Sequence, residues 1–315
     1  MKKLVLFILI SSGLFSTMEV VLKIGGNHLD SYQLTMIRFL IGGAFLFPFA
    51  YREIKKYSTV FHKKDYLHML AMGVVCICIS MMFFQFGVEN SKASTAAVIF
   101  CMNPMFTMIF AHFMTDEKLN RVKLAALGIG LLGIAFMINP LNMDPGNTTV
   151  GALYSVASAL TFGLYSAMAR TSVKRLRGLT QTSISFLMGS AVMLPILLMM
   201  GKPVTQGITT ENIPLVLYIG VMVTGFGYLF YFLAMEVSNA ATASIVFFMK
   251  PALAPIAAVI ALHESIHLNS VIGILLILIG SYINLNAQIT KKTENNSAGE
   301  KIENTSTHSK KEANI

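Results

Sequence analysis

Residues 240 to 263 read AATASIVFFMKPALAPIAAVIALH. The stretch is apolar except for one lysine. At about 1.5 Å per residue it is long enough to cross the hydrocarbon core of a bilayer. Lys250 stands ten residues in, which at helical rise is about 15 Å deep, near the midplane. Pro251 follows it and frees backbone carbonyls of the preceding turn. An ammonium at that depth costs several kcal/mol unless it meets a partner or a wet cavity. The pair therefore marks a candidate site at which Lys250 attracts an anionic group. The competing reading is a lysine that snorkels or orders helices through an ion pair.

The same stretch has a copy in the first half of the chain. A gapless shift of 147 residues aligns Glu89 with Glu236, Ser91 with Ser238, Ala93 with Ala240, Thr95 with Thr242, Phe100 with Phe247, Pro104 with Pro251, Glu117 with Glu264 and Gly133 with Gly280. Asn103 falls opposite Lys250, and the shift also pairs Gly42 with Gly189, Pro48 with Pro195 and Gly73 with Gly220. This is an internal duplication, with prolines Pro104 and Pro251 as matching helix breaks.

Of 315 residues, 55% are hydrophobic and only 12% are charged, and the mean hydropathy is +0.66. That is too apolar for a soluble domain of this size, so the chain reads as an integral membrane protein in contact with the lipid bilayer. The net charge of +9 comes from basic residues that punctuate apolar runs, as in loops facing anionic lipid, and does not point to nucleic acid. Cys76, Cys78 and Cys101 lie inside apolar spans, where a thiol behaves as a small hydrophobe and no disulfide is expected.

Ten apolar spans are expected: Leu4 to Leu22, Ser31 to Tyr51, Tyr66 to Phe86, Ala93 to Met114, Val122 to Ile138, Val150 to Ala169, Thr182 to Met200, Ile213 to Met235, Ala240 to Leu262 and Leu268 to Leu285. Of the 24 Lys and Arg residues, Lys23, Lys92 and Lys202 fall on one side and Arg38 and Lys250 within spans; the rest fall on the other side. The positive-inside rule then puts both termini in the cytoplasm of a multi-pass cell-membrane protein. Five spans per half is an odd number, so the second copy lies upside down relative to the first. Inverted repeats are a usual architecture of secondary transporters, with the site near the midplane where the repeats meet. The expected fold is all-α and integral to the membrane, with ten transmembrane helices as two inverted five-helix repeats. Residues 1–140 form the first repeat, 148–287 the second, and 288–315 a disordered cytoplasmic tail that is polar and free of aromatics.

The segments KASTAAVIFCMNPMFTMIFAHFMTDEKL (Lys92 to Leu119) and NAATASIVFFMKPALAPIAAVIALHESI (Asn239 to Ile266) resemble the fourth and ninth helices of the drug/metabolite transporter superfamily. More specifically, they resemble those of its EamA-like ten-helix transporters. The resemblance rests on a small-residue helix start, a mid-helix proline and a Glu just past the helix, each present in both halves. It implies two inverted five-helix bundles around a cavity lined by helices 1, 3, 4, 6, 8 and 9. It also implies transport, not catalysis, with export or exchange of amino acids and other small metabolites. The run GLFSTMEVVLK (Gly13 to Lys23) is also similar to the first helix of small multidrug resistance proteins, in which a membrane Glu binds protons and cationic drugs. That supplies the alternative of a proton-coupled carrier of organic cations. Glu19 takes the place of that Glu, but its repeat counterpart is Ala169.

Glu19 and Arg38 fall at similar depths on the first two spans. Glu19 reads either as a partner of Arg38 or as a proton-binding group. Helical spacing puts Ser12, Phe15, Ser16 and Glu19 on one face of the first span, Ser155, Ser158, Phe162 and Tyr165 on one face of the sixth, and Thr224, Tyr228 and Tyr231 on one face of the eighth. Gln85 adds an amide on the third. Together with Lys250, Asn103 and Arg38, these residues describe a polar, aromatic substrate cavity, although any single Ser or Tyr also suits helix–helix hydrogen bonding. His263-Glu264-Ser265-Ile266-His267 matches the zinc motif H-E-x-x-H, which would make an intramembrane metalloenzyme. Against it, Glu264 is already explained by its repeat partner Glu117, and nothing suggests a third ligand, so no metal or cofactor is expected. Ala126, Gly130 and Gly133 give the fifth span a small-residue face that suits packing within the chain or a homodimer.

Overall fold

The computed structural model describes residues 2–115, 119–138, 146–237, 245–284 and 286, and among them every regular element is a helix. Among the described residues seven helices are long and apolar enough to cross a membrane: α1 (Lys2–Gly26), α2 (Ser31–Tyr57), α3 (Lys63–Glu89), α4 (Ala93–Met114), α6 (Thr149–Leu176), α7 (Gly178–Met199) and α8 (Ile213–Val237). Between and after them lie the shorter α5 (Arg121–Ile138), α9 (Ile245–Leu262) and α10 (Leu268–Asn284). Glu117, the stretch Ser238 to Ser244 with Ala240 and Thr242, most of the joint between the repeats and the tail 288–315 lie outside the described residues.

Local chemistry sets the ends of these helices. Asp30 caps α2 by accepting from the Tyr32 N–H at 3.0 Å, and Thr148 caps α6 by accepting from Gly151 at 3.0 Å, each satisfying a donor that the first turn leaves over. Ser58 ends α2 in the left-handed region at φ 47°. Pro104 opens the second piece of α4, which breaks at Cys101 and Met102 and resumes at Asn103, a position that needs no N–H from proline. In α3 residues Val74–Met81, and in α8 residues Tyr218–Phe226, the coil widens to a π-helix. The two π segments overlap under the shift of 147, so the duplication extends to this irregularity.

The packing follows a pseudo-twofold relation. Helix α2 lies against its own copy α7; α3 packs on α7 as α8 packs on α2; α4 packs on α6 as α9 packs on α1. Each repeat therefore buries its apolar faces mainly against the other. Gly73 of α3 meets the backbone of Gly189 of α7, an approach that leaves no room for a side chain. A methyl on Gly133 would lie 2.8 Å from the Gly273 carbonyl, and one on Gly280 would lie 2.7 Å from the Ala126 carbonyl. The small face of α5 is thus used by α10 of the same chain. Leu22, Leu34, Met72, Cys76, Phe84, Met102 and Phe186 are fully buried in the common core.

Polar contacts gather at two opposite ends. At the end rich in Lys and Arg, Arg175 forks onto Asp65, Lys56 meets Glu236 at 3.4 Å, and Glu53 caps α7 through Thr180 at 2.9 and 2.6 Å. At the other, Lys23 donates to the carbonyls of Val88, Glu89 and Ser91, and Lys202, its pKa raised by the bond, donates to Asp30 at 2.8 Å. Glu264, just past α9, caps α4: it accepts from the Ala93 N–H at 2.7 Å, the Ser94 N–H at 3.1 Å and the Ser94 hydroxyl at 2.6 Å.

Candidate functional site

The break in α4, the π segment of α8 and the Lys250-Pro251 step of α9 come together around one narrow interior cavity. The first repeat contributes Phe15, Met18, Arg38, Phe39, Met81 and Phe100 to its lining; the second contributes Phe162, Val223, Thr224, Tyr228, Phe247 and Lys250. Helices α1, α3, α4, α6, α8 and α9 all take part, as the resemblance implies. So does α2, through Arg38 and Phe39, which the resemblance does not include.

Lys250 is 2% exposed, and its Nζ lies 2.5 Å from Oε1 of Glu19, itself 1% exposed. The same ammonium sits 5.2 Å from the ring centre of Phe100 and 5.7 Å from that of Phe84. A buried lysine is tolerated here because a carboxylate and two aromatic faces replace its water. The partner of Glu19 is thus Lys250. The pairing of Glu19 with Arg38 weighed from depth alone is not the one formed, because helix rotation turns the carboxylate toward α9. The engaged carboxylate is also a poor receptor for an organic cation, which would have to displace a covalently tethered ammonium.

Arg38 has no exposed surface, and none of its three guanidinium nitrogens has a hydrogen-bond partner among the described residues. Its guanidinium carbon lies 4.7 Å from the ring centre of Phe39. Gly42, one turn further along α2, lets Thr224 of α8 approach closely, which brings the Arg38 level of α2 against the π segment. Thr224 donates to the Ile219 carbonyl five residues back at 2.8 Å, a spacing that suits the widened coil.

The remaining expected residues divide. Tyr228 and Thr224 line the cavity; Tyr231 stands behind Phe247 with ring centres 5.2 Å apart, and Tyr165 behind Phe162, also at 5.2 Å. Ser16 donates to the Ser12 carbonyl at 2.6 Å within its own helix. Asn103 is buried, but its amide turns back to the Phe100 carbonyl at 2.8 Å and stabilises the break in α4. Gln85 donates to Glu89 at 2.8 Å. The lining residues that the spacing did not single out are the apolar ones, Met18, Phe39, Met81, Phe100, Val223 and Phe247, whose types are those of any core position.

The zinc motif does not survive folding. Helix α9 ends at Leu262, His263 takes a left-handed φ of 53°, and α10 begins only at Leu268, so the two histidines are not one helical turn apart. Both oxygens of Glu264 are spent on the start of α4. Among the described residues no three His, Cys, Asp or Glu side chains cluster as a metal site would need.

Comparison with known proteins agrees with this architecture. The model of the EamA-like transporter family matches residues 2–139 and again 149–286. The chain is 36% identical over 310 residues to an "uncharacterized transporter" of Clostridium kluyveri, covering 95% of this chain and all of that protein. It is 24% identical over 181 residues to an S-adenosylmethionine uptake transporter of Rickettsia felis, covering 58% of this chain and 59% of that one. A protein of known crystal structure superposes with a TM-score of 0.63 at 17% identity, over 90% of this chain and 97% of that one, a likeness of fold.

Proposed function

Because the chain belongs to the EamA-like transporter family, each of its halves matching the family unit, we propose that it is a secondary carrier working by alternating access across the cell membrane. Its cargo is a small metabolite bearing a carboxylate, and its direction in the cell is export. The ten helices all cross the bilayer, with both termini in the cytoplasm.

The observation that carries this reading is the cavity itself. Its walls come from both repeats and include two buried cations, Arg38 and Lys250, the second paired with the Glu19 carboxylate beside the cavity, in keeping with a site where inverted repeats meet. Such groups are costly in an apolar interior and are kept where they meet a ligand or a moving partner. The break in α4 before Pro104 and the π segments of α3 and α8 are the places where the two repeats can change their packing without unfolding, whereas α9, expected to break at Pro251, runs unbroken through it.

Counterflow in sealed proteoliposomes tests the proposal. Vesicles holding the purified chain are loaded with a mixture of unlabelled amino acids and 2-oxo acids and given a labelled trace outside. A carrier concentrates the label transiently and saturates, whereas a passive channel equilibrates it in proportion to concentration. Flux that never saturates, or no flux for any member of the mixture, would refute the carrier reading.

A further inference from the structure

We infer that Arg38 is the ligand anchor of this cavity and that its charge selects organic monoanions, a carboxylate on a compact apolar body, over zwitterions and cations. The inference rests on the carrier reading for its consequence in transport, but binding alone tests it.

Charge balance comes first. Glu19 and Lys250 neutralise each other at 2.5 Å. Arg38 is then left with one uncompensated positive charge, wholly buried, lining the cavity and without a hydrogen-bond partner among the described residues. A guanidinium is planar, stays charged and offers five donors in a fork that suits a carboxylate. A buried charge with none of its donors used is the most costly polar group such a site can contain, and a carboxylate entering the cavity would satisfy both its charge and its fork.

The rest of the wall narrows the ligand. The cavity that Arg38 lines is also walled by Phe15, Phe39, Phe162, Tyr228 and Phe247, which suit an apolar or aryl body. A zwitterion would also bring an ammonium, and the one carboxylate beside the cavity is already held by Lys250. A cation would add charge to an already positive site.

The test uses the purified full-length chain and three probes that share one ring, namely benzoate, phenylalanine and benzylamine, with chloride as a fourth. Titration calorimetry on the unaltered protein is expected to give affinity in the order benzoate, then phenylalanine, with benzylamine not binding and chloride competing weakly. Arg38→Gln is expected to weaken benzoate roughly ten- to a hundredfold, the loss of a charge-assisted hydrogen bond, and Arg38→Lys to restore part of it. Without ligand, Arg38→Gln should melt no lower than the unaltered protein, because an unpaired buried charge has been removed; a merely structural arginine would lower the melting point instead. Phenylalanine binding as tightly as benzoate, chloride displacing benzoate at equal concentration, or no binding of benzoate would each overturn the inference. The first three-probe comparison needs no variant, so a variant that fails to fold leaves the decision intact. Phenylalanine counterflow with benzoate inert would sink the anion assignment while leaving the carrier reading standing.

Discussion

Replacing one member of the Glu19–Lys250 pair should cost far more than replacing both. The two groups are almost fully buried and 2.5 Å apart. Lys250→Met keeps the unbranched stem against Phe84 and Phe100 but strands the Glu19 carboxylate among apolar neighbours, one of whose oxygens, Oε2, already has no hydrogen-bond partner among the described residues. Breaking a buried ion pair from one side costs about 3–5 kcal/mol, whereas exchanging both partners for uncharged groups of similar volume is near neutral or stabilising. At roughly 1.5 °C per kcal/mol for a chain of this size, Lys250→Met and Glu19→Gln should each lower the melting point by about 4–8 °C. The double variant should return to within about 2 °C of the unaltered protein. The fold supplies its own reporter: Cys76 and Cys101 are buried, so a thiol-reactive fluorophore in detergent follows their exposure on heating. Two single losses that simply add in the double variant would refute the pairing as a unit and return Lys250 to the role of an independent ligand group.

Four further outcomes follow from the geometry. Glu264→Gln should weaken the start of α4 and lower stability by about 0.5–2 kcal/mol, an effect that a chelator neither mimics nor enhances; transport abolished by a chelator would reopen the zinc reading. His263→Gly should be neutral or stabilise by up to about 1 kcal/mol in thermal unfolding, since the position has a left-handed φ. Gly133→Ala should lower the melting point because its methyl meets the Gly273 carbonyl, while Gly128→Ala, with open space around it, should raise stability by up to about 1 kcal/mol; equal effects would contradict the α5–α10 contact. A single cysteine at Asn147 should react with an impermeant reagent in intact cells and one at Lys174 should not, and the reverse pattern would invert the proposed topology.

Much of this was legible in the residues. The shift of 147 exposes the two halves, and the depth of Lys250 singles out a residue that lines the cavity. The spacing of Thr224 and Tyr228 puts them on a common face that does line the cavity. What depth cannot supply is rotation about the helix axis. Depth offered Glu19 a partner in Arg38, and only the packing of α1 against α9 brings it to Lys250 instead. Asn103 illustrates the same limit: the repeat alignment places it opposite Lys250, but its amide serves its own helix break. The duplication is also imperfect in its chemistry. Glu53 caps α7 through Thr180, but the copy of Thr180 is Gln33, which instead donates to Val204 and Gln206 in the loop after α7. No pattern of residue types announces such a substitution of one anchor for another.

The widened coils of α3 and α8 have a consequence for anyone who maps this protein by substitution. An α-helix turns about 100° per residue, and a π segment accommodates an extra residue within the same length of axis. Side chains before and after Val74–Met81, or Tyr218–Phe226, therefore stand on faces that a single continuous helical wheel would assign to neighbours one position away. A tolerance scan along α8 should show its sensitive positions recurring in one phase up to about Tyr218 and in another beyond Phe226. The same slip of phase should appear in α3, at the place that the duplication dictates.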